Sequence, residues 1–500
     1  MAQITEVVKI RRKVLAEIAR LSFADELDKH NIVDVLDHVV HESGPRYRCC
    51  VHKERAVVKD RVKFVMAQPL TMGVAEAAEN ALDGNIADMP ILNIMPEACD
   101  QCPIDTFFVT NACRNCIAHN CIASCPKRAI TVVQNQAYID KTTCVECGLC
   151  KKSCMYGAIV EIIRPCERAC EIGAIKADKE RKAVINYDKC TQCGGCKMAC
   201  PFGAITEQSF TVQLIQKIKA GKRVYAILAP AFIGQFGVKV KPSQVIGGLK
   251  KMGFYDVQEV SFGADIVTLE EAKEFAETVP NKLSFMTTSC CPAFVDMVHK
   301  HLPDLKEHIS TTVSPMVASG KVIKAADPDA IVVFIGPCLA KKVEAKQYPE
   351  SIDFVFSFEE LESLFIGAGI NLLEIPETEY VTTASRDGNA FAKAGGVVQA
   401  VIDAAAKIDP NLVVKPHRAE GLQNCKVALL QMKAGKIDAN FFEGMACAGG
   451  CIGGPGVLND VRISNKLVEN FAASSTMQAA PDNQKAIDES HKDLHWHTNK

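Results

Sequence analysis

The sequence has little aromatic character and no excess of charge of either sign. Only 6% of its 500 residues are aromatic, one residue is tryptophan, and the formal net charge is −2. A chain without a basic excess gives no indication of binding to nucleic acid or to an anionic membrane surface. No apolar run is long enough to cross a bilayer, and residues 1–21 lack the uninterrupted apolar core of a secretory signal. These absences predict a cytoplasmic protein.

Cysteine, in contrast, is abundant, with 24 residues in the chain. Disulfide frameworks are typical of small secreted domains, whereas this density in a cytoplasmic protein indicates metal binding or catalysis. Sixteen of the cysteines lie between Cys99 and Cys200, and five lie in three short motifs after residue 288. Only Cys49, Cys50 and Cys425 remain, and we interpret Cys49 and Cys50 as thiols that bind no metal.

The pattern of apolar residues divides the chain into four parts. Residues 1–95 have helical spacing, and residues 96–210 are built from repeated cysteine half-motifs. Within 221–460, strand-like runs alternate with helical stretches, which predicts an α/β domain with mostly parallel strands flanked by helices. Residues 461–500 are polar and are predicted to form a surface tail with solvated histidines (His491, His495 and His497).

The predicted elements of the α/β part are short. The strand-like runs are Arg223–Phe232, Lys282–Thr288, Ala330–Ile335, Phe354–Phe358 and Lys426–Gln431. The helical stretches between them include Ser243–Met252 and Leu269–Val279. The C-terminal cysteine motifs follow strands, which is where α/β folds usually place their sites. The chain has no glycine-rich turn between a strand and a helix, so direct use of NAD is not expected.

The cysteines of 96–210 form three complete quartets and one divided quartet. In the bacterial ferredoxin motif, three closely spaced cysteines bind one [4Fe–4S] cube, and a fourth binds the neighbouring cube. The complete quartets are Cys113/Cys116/Cys121/Cys125, Cys144/Cys147/Cys150/Cys154 and Cys190/Cys193/Cys196/Cys200. Cys99 and Cys102 resemble the first half of a fourth quartet, and Cys166 and Cys170 resemble the second half. This order predicts an α+β ferredoxin-like unit (111–160) inserted within an outer one.

Crossed ligation assigns all sixteen cysteines to four accessory clusters. The inner sets are Cys113, Cys116 and Cys121 with Cys154, and Cys144, Cys147 and Cys150 with Cys125. The outer sets are Cys190, Cys193 and Cys196 with Cys170, and Cys99, Cys102 and Cys166 with Cys200. Structural zinc is the alternative, but zinc takes two pairs of ligands around one ion and gives the third cysteine of each quartet no role.

Three motifs carry the five remaining grouped cysteines: Thr288-Ser289-Cys290-Cys291-Pro292, Gly336–Glu344 and Glu443–Gly454. From chemistry alone, a further cubane could be held by four of them (Cys291, Cys338, Cys447 and Cys451). Cys290 would then be a free thiol beside the metal. Glycines next to Cys447 and Cys451 would allow the backbone to approach a bulky inorganic group.

Over about 221–460, these motifs resemble in order and separation the signature of [FeFe]-hydrogenases, and their variants look like the group B branch. The resemblance implies the two-lobed iron-only hydrogenase fold, for which a ferredoxin-like front end is a usual companion. It also implies an H-cluster, in which a [4Fe–4S] cube is joined to a two-iron unit with CO, cyanide and a bridging azadithiolate. Cys291, Cys338, Cys447 and Cys451 would bind the cube, and Cys451 would bridge to the two-iron unit.

The resemblance further implies roles for side chains around that cofactor. Lys341 would donate a charge-assisted hydrogen bond to an iron-bound cyanide, whereas Lys342 is expected at the surface. The cofactor would be lined by Met445, by the strand-end segment Ala229-Pro230-Ala231 and by Ser314.

A proton relay of the type Cys–Glu–Ser–Glu is also implied. Cys290 matches the thiol that transfers protons to the bridging amine, and Ser310 falls at the position of the serine. Glu271 and Glu274 lie three apart on a predicted helix and therefore share a face. An ordinary exposed acidic helix is the alternative. The two other glutamates of this helix, Glu270 and Glu277, are expected on its solvated side.

These assignments predict an oxidoreductase that catalyses 2H⁺ + 2e⁻ ⇌ H₂, with electrons entering through the accessory clusters. A soluble ferredoxin or similar one-electron carrier would be its partner, and maturation proteins would install the two-iron unit. Two alternatives stay open. One is a hydrogen sensor with low turnover, and the other is a non-catalytic iron–sulfur assembly or electron-relay protein that holds no two-iron unit.

Overall fold

The computed structural model describes residues 4–100, 102–103, 105–178, 182–279 and 281–498. The chain begins with four helices, α1 Glu6–Phe23, α2 Asn31–Val39, α3 Val51–Val65 and α4 Val74–Leu82. Thr5 caps α1, because its hydroxyl accepts a hydrogen bond from the backbone N–H of Val8. Apolar side chains at helical spacing, such as Val14 and Ile18, are buried in one core shared by the four helices.

Short antiparallel strand pairs follow, and they are nested. The outer pairs join β1 Leu92–Ile94 with β8 Ile205–Glu207, and β6 Ile175–Ala177 with β7 Ala183–Ile185. The inner pairs join β2 Phe107–Val109 with β5 Ile159–Glu161, and β3 Ile130–Val133 with β4 Gln136–Ile139. The short helices here are α5 Asn120–Ala123, α6 Leu149–Ser153, α7 Pro165–Arg168 and α8 Gly195–Ala199. Strands β2–β5 thus lie in sequence between β1 and β6, which belong to the outer pairs.

Two parallel sheets form the next part of the chain, and its predicted α/β class is confirmed. One sheet has the order β10-β9-β12-β13, with β9 Val224–Leu228, β10 Asp256–Glu259, β12 Ile331–Ile335 and β13 Phe354–Phe356. The other has the order β11-β15-β14, with β11 Met286–Thr287, β14 Pro416–Glu420 and β15 Phe441–Met445. Continuous burial along β12 and β15 is typical of parallel strands covered on both faces.

Helices pack around these two sheets. They are α9 Thr211–Lys219, α10 Pro242–Met252, α11 Val260–Thr278, α12 Pro292–His301, α13 Pro315–Ala326, α14 Ala340–Gln347, α15 Phe358–Gly367, α16 Arg386–Ala390, α17 Gly396–Ile408, α18 Leu422–Lys433, α19 Val461–Ala473 and α20 Gln484–Ser490. Within the described ranges, no helix is both long enough and apolar enough to cross a membrane.

The strand predicted at Lys426–Gln431 is wrong, because this stretch lies inside α18. The buried residues of α18 include Leu422, Cys425, Leu429 and Met432, whose spacing of three and four residues is helical. A short apolar run cannot be assigned by composition alone, and the strand at the core of this sheet is β15 instead. The other predicted strands exist in shortened form.

The polar tail predicted for the C-terminus is also wrong, since this segment carries α19 and α20 and is anchored to the rest of the protein. Trp496 is buried, and its backbone oxygen accepts a hydrogen bond of 2.8 Å from Val313 N–H. The next residue, His497, forms an isolated β-bridge with Thr312. A few apolar anchors, which the polar composition conceals, hold the segment in place.

Buried ion pairs connect the parts of the chain, and they include Lys342, which the sequence placed at the surface. The structure buries Lys342, whose Nζ lies 2.7 Å from Glu360 Oε1 and 2.7 Å from the backbone oxygen of Gln208. Nearby, Glu359 binds Arg11 of α1 at 2.8 Å and Lys197 of α8 at 3.3 Å. A lysine next to a second lysine gives no sign in sequence that its counter-ion lies eighteen residues away.

We expect Lys342→Ala to lower the free energy of unfolding by about 3–5 kcal/mol, because it leaves the Glu360 carboxylate buried without a counter-charge. Anaerobic urea denaturation would measure this loss. The control is Lys346→Ala on the same helix, because its ionic partner Asp88 is fully exposed and its other contact is the backbone oxygen of Met89. That control should change stability by less than about 1 kcal/mol. Equal effects of the two substitutions would contradict the assignment.

Candidate functional site

The carboxyl ends of strands from both parallel sheets meet at one place. Strand β9 leads into Ala229, β12 into Cys338, β11 into Cys290, and β15 into Cys447. Parallel strands present their carboxyl ends at the same edge of a sheet, where the chain is free to form binding loops. The three cysteine motifs, far apart in sequence, therefore reach one site.

A mostly apolar cavity occupies this meeting point. Three cysteines and two methionines are among the residues that line it. Lys341 is the one charged lining residue in the described part of the chain. The lining includes Ala229, Pro230, Cys290, Met316, Phe334, Pro337, Cys338, Lys341, Phe391, Ala392, Met445 and Cys451. Thiols and one cation in an apolar wall fit a bulky, anionic, sulfur-ligated guest better than a polar organic molecule.

The four predicted cube ligands lie within electrostatic range of one another. Burial raises the pKa of Cys338, and the thiols of Cys291 and Cys451 raise it further. Burial also raises the pKa of Cys447, with additional contributions from the same three cysteines. Buried thiols of this kind become thiolates when a metal ion binds them. The donor set therefore fits a cluster that supplies its own positive charge.

No group of three or more His, Cys, Asp or Glu side chains is arranged to hold a metal ion in the part of the chain that the structure describes. Such a group would place several ligands around one ion, whereas a cubane cluster needs its ligands farther apart. In a cubane cluster, each thiolate binds an iron atom of its own at a different corner.

Lys341 points its ammonium at this site. Its Nζ donates to the backbone oxygen of Cys290 at 3.2 Å and lies 2.5 Å from Glu344 Oε2. Burial opposes the charge of Lys341, but the Glu344 carboxylate raises its pKa above the ordinary value. The side chain therefore stays cationic and can donate a charge-assisted hydrogen bond to an anionic group in the cavity.

The four predicted relay residues lie next to one another. Burial raises the pKa of Cys290, and the nearby Glu271 carboxyl is the next cause. The nearby Ser310 hydroxyl lowers the pKa of Glu271, and Ser310 Oγ donates to Glu274 Oε2 at 2.6 Å. The order along the chain of contacts is Cys290, Glu271, Ser310 and Glu274.

Glu271 is the most deeply buried member of the relay, with a relative exposure of 0%. It accepts hydrogen bonds from the backbone N–H and the hydroxyl of Ser289, at 3.2 and 3.3 Å. Burial is the main cause that raises the pKa of Glu271 to about 8. A carboxyl with this pKa is mostly neutral at pH 7 and can both give and take a proton near that pH.

Glu274 lies at the outer end of the relay and is half-buried. Its carboxylate accepts hydrogen bonds from the backbone N–H and the hydroxyl of Thr311. Glu270 was expected on the solvated side, but the structure buries it, with Lys273 at 2.7 Å and His497 at 3.4 Å. The cause is the docked C-terminal segment, which covers this side of α11. Glu277 is exposed.

The remaining predicted site residues lie in three settings. Met445 and Pro230 line the apolar cavity. Ala231 is fully buried but does not line that cavity. Ser314 lines a neighbouring polar cavity, which Ser310 and Glu344 also line. The Oγ atom of Ser314 is buried with no hydrogen-bond partner among the described residues.

Sequence reasoning missed several residues around the site. Phe391 and Ala392 line the cavity from the segment before α17, and no motif marks them. Ser289, although it stands inside the first motif, was given no role, yet both its backbone N–H and its hydroxyl contact Glu271. Polar neighbours of Cys290 within that motif were a usable signal.

Several of the accessory cysteines lie within electrostatic range of one another. Burial raises the pKa of Cys166 to about 11, with further contributions from Cys200, Cys102 and Cys99. Burial likewise raises the pKa values of Cys196 and Cys121. The neighbours that add to these shifts are Cys193, Cys190, Cys170 and Cys166 for Cys196, and Cys154 and Cys113 for Cys121. For Cys150 they are Cys144 and Cys147.

The same backbone hydrogen bond recurs at the alanine of four half-motifs. The backbone N–H of an alanine donates to the sulfur of the cysteine four residues earlier, over 3.1–3.4 Å. The four pairs are Ala129 with Cys125, Ala158 with Cys154, Ala174 with Cys170 and Ala204 with Cys200. Hydrogen bonds to cysteine sulfur stabilise the thiolate and influence cluster potential.

One accessory cysteine loop packs directly against the C-terminal site. Gly194 has a φ of +87°, and a Cβ atom there would lie 2.7 Å from Pro455 and 3.0 Å from Leu339. The adjacent Cys193 lies within electrostatic range of Cys291 and Cys447. Only glycine allows this approach, which brings two cysteine clusters together.

Comparison with known proteins also identifies a hydrogenase-type C-terminal region and a ferredoxin-type cysteine region. Residues 222–455 match the family model for the iron only hydrogenase large subunit, C-terminal domain, and residues 183–206 match that for a 4Fe–4S binding domain. Iron hydrogenase 1 of Clostridium pasteurianum is 29% identical over 47% of this chain and 50% of its own length. The periplasmic [Fe] hydrogenase large subunit of Nitratidesulfovibrio vulgaris is 28% identical over 55% of this chain and 79% of its own length. The chain therefore spans about half the length of the first of these relatives.

Relatives that are not named as hydrogenases match as well. Nuclear prelamin A recognition factor of Xenopus laevis and cytosolic iron-sulfur assembly component 3 of Bos taurus are each 24% identical, over 47% and 42% of this chain. These matches cover 64% and 55% of those relatives. A solved [FeFe]-hydrogenase structure superposes with a TM-score of 0.50 and 22% identity over 57% of this chain and 98% of its own length, which supports the fold. The chain is an [FeFe]-hydrogenase-like protein with a 4Fe–4S ferredoxin-type domain.

Proposed function

We propose that this protein is a cytoplasmic iron-only hydrogenase that catalyses 2H⁺ + 2e⁻ ⇌ H₂. The observation that carries the proposal is the series Cys290, Glu271, Ser310 and Glu274, which runs from the half-buried Glu274 to Cys290 in the wall of the apolar cavity. A proton needs titratable groups within hydrogen-bond reach to cross a low-dielectric interior. A cavity that only stored a cluster would need no such series.

Cys291, Cys338, Cys447 and Cys451 would hold the H-cluster, with Cys451 as the bridge to its two-iron unit. When bound, the cofactor supplies the metal pair at which the bond of H₂ is made or broken. Lys341 would orient an anionic ligand of this pair through its ammonium, which Glu344 keeps charged. Met445 and Phe334 would exclude water from the same cavity.

Protons would pass inward from Glu274 to Cys290. Ser310 Oγ donates to Glu274 Oε2. This hydroxyl would rotate, give its proton to Glu271 when Glu271 is ionised, and take the proton of a protonated Glu274 in exchange. Glu271 is mostly neutral at pH 7 because burial raises its pKa to about 8, and it can therefore re-protonate the thiolate that remains when Cys290 has given up its proton. Burial raises the pKa of Cys290 and keeps it a thiol, which is the form that can donate.

Electrons would enter through four accessory [4Fe–4S] clusters held by the crossed cysteine sets. The contact of Gly194 with Pro455 favours the 190-series cluster as the last donor to the H-cluster. A soluble ferredoxin or similar one-electron carrier is the proposed partner. The exposed apolar side chains Ile117 and Met155, which are close in sequence to Cys116 and Cys154, favour docking at the inner unit.

A non-catalytic iron–sulfur protein is the second candidate, because two relatives are named for nuclear prelamin A recognition and for iron–sulfur assembly. Such a protein requires the four cysteines but neither the buried ammonium of Lys341 nor the carboxyl of Glu271. A hydrogen sensor would share the whole site, and low turnover with normal cofactor spectra would distinguish it.

The cluster assignment predicts about 22 irons per chain in the matured protein. Cys166→Ser should remove one cluster, and therefore about four irons, because Cys166 joins the two halves of the divided set. Iron analysis together with electron paramagnetic resonance would measure the loss. Cys49→Ser is the control, since Cys49 is exposed and lies outside every quartet. An unchanged iron content in Cys166→Ser would contradict the divided set.

The direct test of function is co-expression with hydrogenase maturation proteins, followed by infrared spectroscopy and an anaerobic hydrogen assay. We expect bands of iron-bound CO and cyanide together with hydrogen turnover. In Cys290→Ala the bands should remain while turnover falls at least about hundredfold, because the last proton donor is lost. Cys50→Ala should match the unsubstituted protein. Absence of the bands after maturation would refute the proposed function.

The raised pKa of Glu271 gives a prediction for pH dependence. Because the pKa rises from 4.5 to about 8 on folding, the folded state binds the extra proton, and stability should fall as pH rises through this window. Glu271→Gln should remove that decline and lower hydrogen turnover at least about hundredfold. Denaturation at several pH values and the hydrogen assay measure both effects. Glu277→Gln, an exposed change on the same helix, should show neither; if it behaved like Glu271→Gln, the relay would be wrong.

A further inference from the structure

The C-terminal segment lies along the stretch that carries Ser310. The backbone N–H of Val313 donates to the oxygen of Trp496, and that of Thr498 donates to the oxygen of Thr311, both at 2.8 Å. The buried indole N–H of Trp496 donates to the backbone oxygens of Ser490 and Lys492, each at 3.1 Å. The segment is therefore held in register beside the outer end of the relay.

This register places His497 in hydrogen-bond contact with the relay. His497 Nδ1 lies 2.8 Å from Thr311 Oγ1, and Thr311 Oγ1 lies 2.8 Å from Glu274 Oε1. The hydroxyl of Thr311 has one proton. If it donates that proton to the Glu274 carboxylate, it accepts from the Nδ1–H group of His497. The result is an unbroken series of hydrogen bonds from the imidazole to Glu274.

The surroundings of His497 favour a positive charge and allow exchange with solvent. Its Nε2 lies 3.4 Å from Glu270 Oε2, and its side chain remains 43% exposed. Glu270 is the first cause that raises the pKa of His497, and Glu274 and Glu277 add to the effect against partial burial. Lys273 is the facing cation, and it is bound to Glu270.

We propose that His497 is the group that collects protons from solvent and delivers them through Thr311 to Glu274. The proposal rests on the proposed function, to which it adds an entry point. In one step, the N–H bond at Nδ1 breaks, the Thr311 oxygen takes that proton, and the original hydroxyl proton of Thr311 moves to Glu274. The imidazolium becomes neutral imidazole, which solvent protonates again. During hydrogen oxidation the same protons leave in reverse order.

A purely structural clamp is the competing explanation, because His497 also attaches the C-terminal segment to Thr311. The substitution His497→Asn distinguishes a clamp from a proton carrier, since the asparagine amide can donate a hydrogen bond to Thr311 Oγ1 but cannot carry a proton. We expect hydrogen evolution by the matured enzyme at pH 7 to fall at least about tenfold in this variant. Its CO and cyanide bands should be unchanged, and added imidazole should restore most of the lost turnover. His495→Asn is the control, because that side chain is 83% exposed.

A second readout does not depend on hydrogen turnover. Hydrogen–deuterium exchange at the imidazole C2 position, followed by mass spectrometry across pH, gives the pKa of each histidine. The pKa of His497 should exceed the ordinary histidine value of about 6.5 and should fall in Glu270→Gln. A pKa of His497 at or below that ordinary value would overturn the charge assignment.

Three outcomes of the turnover assay separate the possible failures. Wild-type turnover in His497→Asn would overturn the proposal. A loss that imidazole does not restore would also overturn it and would leave His497 as a clamp only. Absence of hydrogen turnover and of the CO and cyanide bands in the unsubstituted matured protein would instead refute the proposed function, and with it this inference.

Discussion

Burial of charge is the constraint on which the site depends, because an ion removed from water must be paired, must bind a metal or must become neutral. Lys342 is paired with Glu360, and Lys341 is paired with Glu344. Glu271 has no cation in contact among the described residues, and burial raises its pKa to about 8. A buried carboxyl without a counter-ion is suited to carry protons.

The same constraint separates the five C-terminal cysteines into two kinds. Burial raises the pKa of each, so none is a stable thiolate in an apolar wall by itself. Four of them converge, and a cluster would supply the positive charge that their thiolates need. Cys290 differs in that Glu271 is the first charged neighbour that raises its pKa, ahead of Cys291 and Cys451. In the proposed function, ligand and proton donor would therefore differ in surroundings rather than in residue type.

Sequence predicted the parts of the structure that depend on local pattern. The cysteine spacing predicted the crossed proximity of Cys166 with Cys200, and strand-like runs predicted the parallel α/β class. Predictions from sequence were wrong where packing between distant parts of the chain determines secondary structure or burial. Lys426–Gln431 is helical because one face of α18, which includes Ala428 and Leu429, is buried against α12 and β15. Lys342 is buried because α15 supplies Glu360. The contact of His497 depends on the anchoring of Trp496, which no local signal reveals.

Two adjacent residues divide the routes of electrons and protons. Cys291 has an extended backbone, with φ of −98° and ψ of 101°, and successive side chains of an extended segment point to opposite sides. Cys291 accordingly lies near Cys193, on the side of the accessory clusters, and Cys290 lies near Glu271, on the side of the relay. In the proposed function, a thiolate ligand at Cys291 next to a protonated thiol at Cys290 would let two adjacent residues serve electron transfer and proton transfer. Electrons and protons would then reach the same cavity by different paths.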